Sequence, residues 1–161
     1  MTCSFRRGLA FVGLVGFGLL VAGCNKSEAA QAQPAQGTKA GALSARAETD
    51  NYVAYLRPVG DYKKDTEGFV EVVLETKGEF HTNEQYPYKF TPKEAEGVKF
   101  SKEKYGRDDG TFEATKAVIR VAFTPTKDGT VNVGGKFALS VCSDKNCLMD
   151  KKDLDLDVTV K

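Results

Sequence analysis

Cys142 and Cys147 are the residues of this 161-residue chain best suited to covalent chemistry. They frame the stretch Cys142-Ser143-Asp144-Lys145-Asn146-Cys147. Two sulfurs at this spacing can form a disulfide, exchange it with a partner thiol or bind a metal. A four-residue loop can place its flanking residues opposite each other in a hairpin. Opposed Cβ atoms are then about 4.5–5.5 Å apart, and a disulfide needs about 3.5–4.5 Å. Crosslinking so short a loop stabilises by only about 2 kcal/mol, and a staple between distant strands would contribute more. The spacing is not the C-x-x-C that lowers a thiol pKa at a helix start. Lys145 favours a thiolate, while Asp144 and Asp150 oppose it. Spacing alone therefore favours a structural disulfide and leaves exchange open.

Other chemistry has weaker support. His81 is the only histidine. With Cys142 and Cys147 it makes a set of three zinc-type ligands. A lone turn histidine is more often structural or simply exposed, so no metal site is expected. Asp153, Asp155 and Asp157 alternate with Leu154 and Leu156 and lack the glycine of a calcium loop. They read as one solvated strand face whose charge discourages edge pairing. Lys99, Lys102, Lys104 and Arg107 are interrupted by Glu103, Asp108 and Asp109, as in a mixed polar loop. No serine–histidine arrangement or phosphate-binding glycine loop is visible, and no cofactor is expected. The formal charge is +1 with no tryptophan, and it becomes −1 without Arg6 and Arg7. A near-neutral chain without a basic patch excludes a nucleic-acid partner.

The elements that must position these residues are strands. Val70, Val72 and Leu74 alternate with Glu71, Val73 and Glu75. Ile119, Val121 and Phe123 share a face between Ala117 and Thr124. Val131, Val133, Gly135, Phe137, Leu139 and Val141 share one parity, and Asn132, Lys136, Ser140 and Cys142 the other. Leu154, Leu156, Val158 and Val160 alternate with the aspartates. Such period-two patterns mark half-buried antiparallel strands. Tyr52 to Leu56, Tyr86 to Phe90 and Val98 to Phe100 are shorter candidates, the first ended by Pro58 and Gly60. Tyr86, Tyr88 and Phe90 read as core or edge packing. Gly134-Gly135 is placed as a bulge or bend. Short strands between Gly, Pro and Asp turns predict an all-β sandwich. Parity puts Cys142 on the polar face, where a disulfide would be accessible to partner thiols.

The N-terminus supplies the address. Arg6 and Arg7 form a positive n-region, and Leu9 to Leu20 an apolar run of signal-peptide length rather than a full span. Leu20-Val21-Ala22-Gly23-Cys24 resembles a lipobox, the processing site of bacterial lipoproteins. That resemblance implies cleavage between Gly23 and Cys24, lipidation of Cys24 and a membrane partner bound through the lipid. Two or three acyl chains make such an anchor stable. Asn25, where retained lipoproteins often carry Asp, implies the periplasmic face of the outer membrane. Cys3 falls in the discarded leader. Residues 24–50 are rich in Ser, Ala, Gln, Gly, Lys and Glu and are expected to form a disordered tether. The sandwich domain is expected over residues 51–161. Export to an oxidising compartment permits a disulfide between the two remaining cysteines.

The stretch Gly135-Lys-Phe-Ala-Leu-Ser-Val-Cys142-Ser-Asp-Lys-Asn-Cys147-Leu resembles the end of the N-terminal periplasmic domain of the thiol:disulfide interchange protein DsbD. Gly78-Glu-Phe-His-Thr-Asn-Glu-Gln-Tyr-Pro87 is similar to that family's segment after the first core strand. The resemblance runs from about Gly68 to Lys161. It implies an immunoglobulin-like sandwich whose cysteine pair exchanges electrons with thioredoxin-like periplasmic oxidoreductases. Leu148 and Met149 stand where many relatives have prolines. The transmembrane and thioredoxin-like domains of the full interchange protein have no counterpart in these residues, so the redox partner is expected to be another protein. The alternative is a non-enzymatic binding or envelope-structural lipoprotein with a structural disulfide.

Overall fold

The structure, a computed structural model, describes residues 46–161. The expected signal peptide, Gly23, Cys24 and most of the expected tether lie outside the described residues. Ten strands make up the fold: β1 (Ala47–Glu48), β2 (Tyr52–Val59), β3 (Gly68–Thr76), β4 (His81–Thr82), β5 (Lys89–Pro92), β6 (Val98–Phe100), β7 (Gly110–Phe112), β8 (Lys116–Pro125), β9 (Gly129–Cys142) and β10 (Cys147–Val160). One turn of 3-10 helix at Arg107–Asp109 precedes β7. No helix among the described residues is long and apolar enough to cross a membrane.

The strands form two antiparallel sheets. One runs β1-β2-β3-β8-β6, with β7 also on β8. The other runs β10-β9-β4, with β5 also on β9. With the two-residue β1 set aside as an addition at the edge, β4 and β5 taken as one broken strand, and β6 and β7 as another, the orders are A-B-E-D and G-F-C. These are the orders of an immunoglobulin-like sandwich. The inner faces carry the alternating residues read from the sequence: Val70, Val72 and Leu74, then Ile119, Val121 and Phe123, then Val131, Val133, Phe137, Leu139 and Val141, then Leu154, Leu156, Val158 and Val160. All are buried, and their removal from water is the main force joining the sheets. Asp153, Asp155 and Asp157, which alternate with Leu154 and Leu156 on β10, face outward.

Several boundaries differ from expectation. Ala47–Glu48 pairs with Val53 and Ala54, so the sheet includes residues upstream of Asn51. Pro58 does not end β2, which pairs with β3 through Val59. It is tolerated because β1 reaches only Val53 and Ala54, leaving that side of β2 an open edge. Gly134 and Gly135 form no bulge; they pair in unbroken register with Asp155 and Leu154. A Cβ on Gly135 would lie 2.4 Å from the Thr91 carbonyl oxygen, so this glycine admits β5 close to β9. The Tyr86 to Phe90 candidate begins as a strand only at Lys89. Pro87 has no N–H for a ladder, and Tyr86 is instead tied into a turn through its N–H to the Asn83 carbonyl at 3.2 Å.

Candidate functional site

The β9–β10 hairpin places the two cysteines. Its turn is closed by the Ser143 N–H donating to the Asn146 carbonyl at 2.8 Å. The Ser143 hydroxyl donates to Asn146 Oδ1 at 3.1 Å and accepts from the Lys145 N–H at 3.3 Å. The turn residues thus satisfy one another locally, as short polar side chains favour. Pairs in an antiparallel ladder alternate between hydrogen-bonded and closer non-hydrogen-bonded positions. Cys142 and Cys147 are the next pair in from Ser143 and Asn146, in direct register. Their Cα atoms are 4.0 Å apart and their sulfurs are bonded to each other. The sequence expectation of an opposed, disulfide-linked pair is met.

The expected exposure of Cys142 is not. Parity puts it on the outer face of β9, but it is only 6% exposed and Ser140 is fully buried. Ser140 is covered by the excursion of residues 83–88 between β4 and β5, and Asn83, Glu84 and Gln85 of that segment line a cavity beside Cys142. Asn83 Nδ2 donates to Ser140 Oγ at 3.3 Å. The Tyr88 hydroxyl donates to the Ser140 carbonyl and accepts from the Asn83 N–H. Tyr88 is anchored in the core against Phe112, with ring centroids 5.0 Å apart. Cys147, by contrast, is exposed. The bond therefore joins one covered sulfur-bearing residue to one open to solvent.

Three strands bring chemistry into one row. His81 on β4 pairs with Cys142 on β9, which pairs with Cys147 on β10. Directly opposed residues share a face, so all three project from the outer side of the sheet. His81 is exposed and lines a shallow cavity of about 320 Å³ with Cys142, Asn83, Glu84 and Gln85. The alternation of longer strands gave no hint of this row, because β4 is only two residues long. Beyond Cys147 the next outward residue is Met149, 74% exposed. It borders a second cavity with Tyr86, Asp150 and Lys151. A larger depression of about 530 Å³ lies further along the same face, over Gly135 and Ala138 and between Lys89, Lys136, Lys151 and Asp153. Its lining contains no cysteine or histidine. Among the described residues no group of three His, Cys, Asp or Glu side chains has the arrangement of a metal site.

The hairpin is also tied to the opposite sheet. The Tyr52 hydroxyl on β2 donates to Asp150 Oδ2 on β10 at 2.5 Å. Burial, and then the bond to Asp150, push the Tyr52 phenol well above its ordinary range. Asp150 is pushed up by burial but held below the usual carboxylate value by hydrogen bonds from Tyr52, Lys152 and the Lys151 N–H. Asp150, weighed from sequence only as a charge opposing a thiolate, is thus part of the support beneath the hairpin. No protein-family model and no curated protein matches the chain.

Proposed function

We propose that this protein is a lipid-anchored periplasmic thiol–disulfide exchange module that uses Cys142 and Cys147, in the manner implied by its resemblance to the DsbD N-terminal domain. The observation that carries the reading is the position of the disulfide. It links neighbouring strands across a turn already closed by its own hydrogen bonds, so it contributes little to holding the sandwich together. It also presents one cysteine to solvent beside the exposed Met149. An exposed disulfide is open to attack by a partner thiolate.

In this reading a thiolate of a dithiol partner attacks Cys147 Sγ. A partner–Cys147 disulfide forms, the Cys142–Cys147 bond breaks, and Cys142 leaves as a thiolate with the electron pair. The partner's second thiolate then attacks its own sulfur in the mixed disulfide and releases Cys147. The partner dithiol is oxidised by two electrons and the cysteine pair is reduced. Lipid on Cys24 confines this chemistry to the membrane surface, with the residues between Cys24 and β1 as the tether. Thioredoxin-like periplasmic oxidoreductases are the partner class.

The test is trapping. Cys142→Ser leaves Cys147 to capture such a partner in a mixed disulfide, and none forms if the pair is only a staple. The competing reading, a binding or envelope-structural lipoprotein, draws on the burial of Cys142 and expects no adduct from either single variant. The anchor is tested separately: Cys24→Ser abolishes lipid labelling and leaves unprocessed precursor, and persistent labelling contradicts it.

A further inference from the structure

We infer that His81 is the general acid of exchange, supplying positive charge and a proton to the Cys142 sulfur as it leaves. The inference rests on the exchange reading above and adds the residue that receives the leaving group. It starts from register: His81 stands directly opposite Cys142, on the same face and beside the same cavity. Opposed side chains in such a pair have Cβ atoms about 4.5–5.5 Å apart, within reach for an imidazole and a thiolate. His81 lies on the side of Cys142 away from Cys147. A thiolate attacking the exposed Cys147 therefore meets no imidazole in its path. The displaced Cys142 thiolate, on a residue only 6% exposed, has one at its side.

Charge balance explains the need. A thiolate formed at a largely buried position loses solvation, which makes it a poorer leaving group. An adjacent imidazolium offsets that cost and can pass its N–H proton to the sulfur. The step is complete: the electron pair of the broken S–S bond stays on Cys142, the proton comes from His81, and water restores it.

The surrounding charges do not substitute for His81. Glu79 precedes it, Glu84 lines the cavity, Glu113 lies in the segment that accepts a hydrogen bond from the neighbouring Thr82 hydroxyl, and Asp144 and Lys145 occupy the hairpin turn. Carboxylates and ammonium groups ordinarily titrate outside pH 5–8, whereas histidine changes charge within it.

The experiment measures reduction of the oxidised full-length protein by dithiothreitol from pH 5 to 8, expressed per dithiothreitol thiolate. The wild type is expected to slow by about three- to tenfold as pH rises, as a leaving thiol loses its cationic partner. His81→Gln is expected to be flat at the slower level, and His81→Lys flat at the faster one. His81 is exposed, and thermal melts confirm that each variant folds. A flat wild-type profile, or a wild-type slope retained in His81→Gln, overturns the inference. Dithiothreitol needs no biological partner, so failure here is distinct from failure of the exchange reading, which shows as absent mixed disulfides.

Discussion

Cys147 is exposed while Cys142, bonded to it and directly opposite, is almost covered. This asymmetry assigns different roles to two residues that the spacing treats alike. It predicts that the free thiol of Cys147 in Cys142→Ser reacts with a chromogenic disulfide at least about tenfold faster than Cys142 does in Cys147→Ser. Accessibility and thiolate fraction both govern such rates. Equal rates would mean that Cys142 is not shielded in solution.

Reducing the disulfide is expected to leave the sandwich folded. The closed loop is short, so the loss is about 2 kcal/mol, or about 10 °C in Tm for a domain of this size. Calorimetry with and without reductant measures it. Unfolding at room temperature on reduction would make the bond a structural requirement.

How much of this was legible beforehand depended on strand length. β3, β8, β9 and the second half of β10 carry sustained alternation, and their inward residues were readable one by one. β4 was not, because two residues have no period, and with it was lost the pairing of His81 with Cys142. The first half of β10, Cys147 to Lys152, carries no apolar alternation, although it pairs throughout with β9. Exposure of Cys142 failed for a different reason. Alternation tells which face a residue occupies, but not that residues 83–88 fold over that face. Tyr88 and Asn83 do so through tertiary hydrogen bonds that no local pattern encodes.

Tyr52→Phe removes the inter-sheet hydrogen bond to Asp150 and is expected to cost about 1–2 kcal/mol at pH 7. Asp150 has a depressed folded pKa. Its contribution is therefore present above the ordinary carboxylate range and is lost as pH falls below about 4. The variant loses part of that depression, so its deficit should shrink on acidification and its acid unfolding should begin at higher pH. The raised Tyr52 phenol works the other way: the wild type loses this contribution as pH rises above about 10, and the variant does not. Denaturant melts across pH resolve both limbs. A deficit that does not change with pH would show that the pair contributes only packing.

Gly135→Ala is expected to destabilise by about 1–3 kcal/mol, because the new methyl meets β5 backbone at Thr91 and Pro92 and the ring of the fully buried Phe90. Chemical denaturation measures it. The disulfide should still form, since Gly135 lies far from the hairpin turn along β9. A neutral substitution would show that β5 can retreat from β9 without cost.

The reduction potential of the Cys142–Cys147 couple is the most direct test of the exchange reading. Equilibration of the full-length protein with graded glutathione or dithiothreitol ratios gives it. The account predicts a value between roughly −120 and −270 mV, the range in which exchange proteins operate. A value below about −300 mV, typical of structural disulfides, would contradict it.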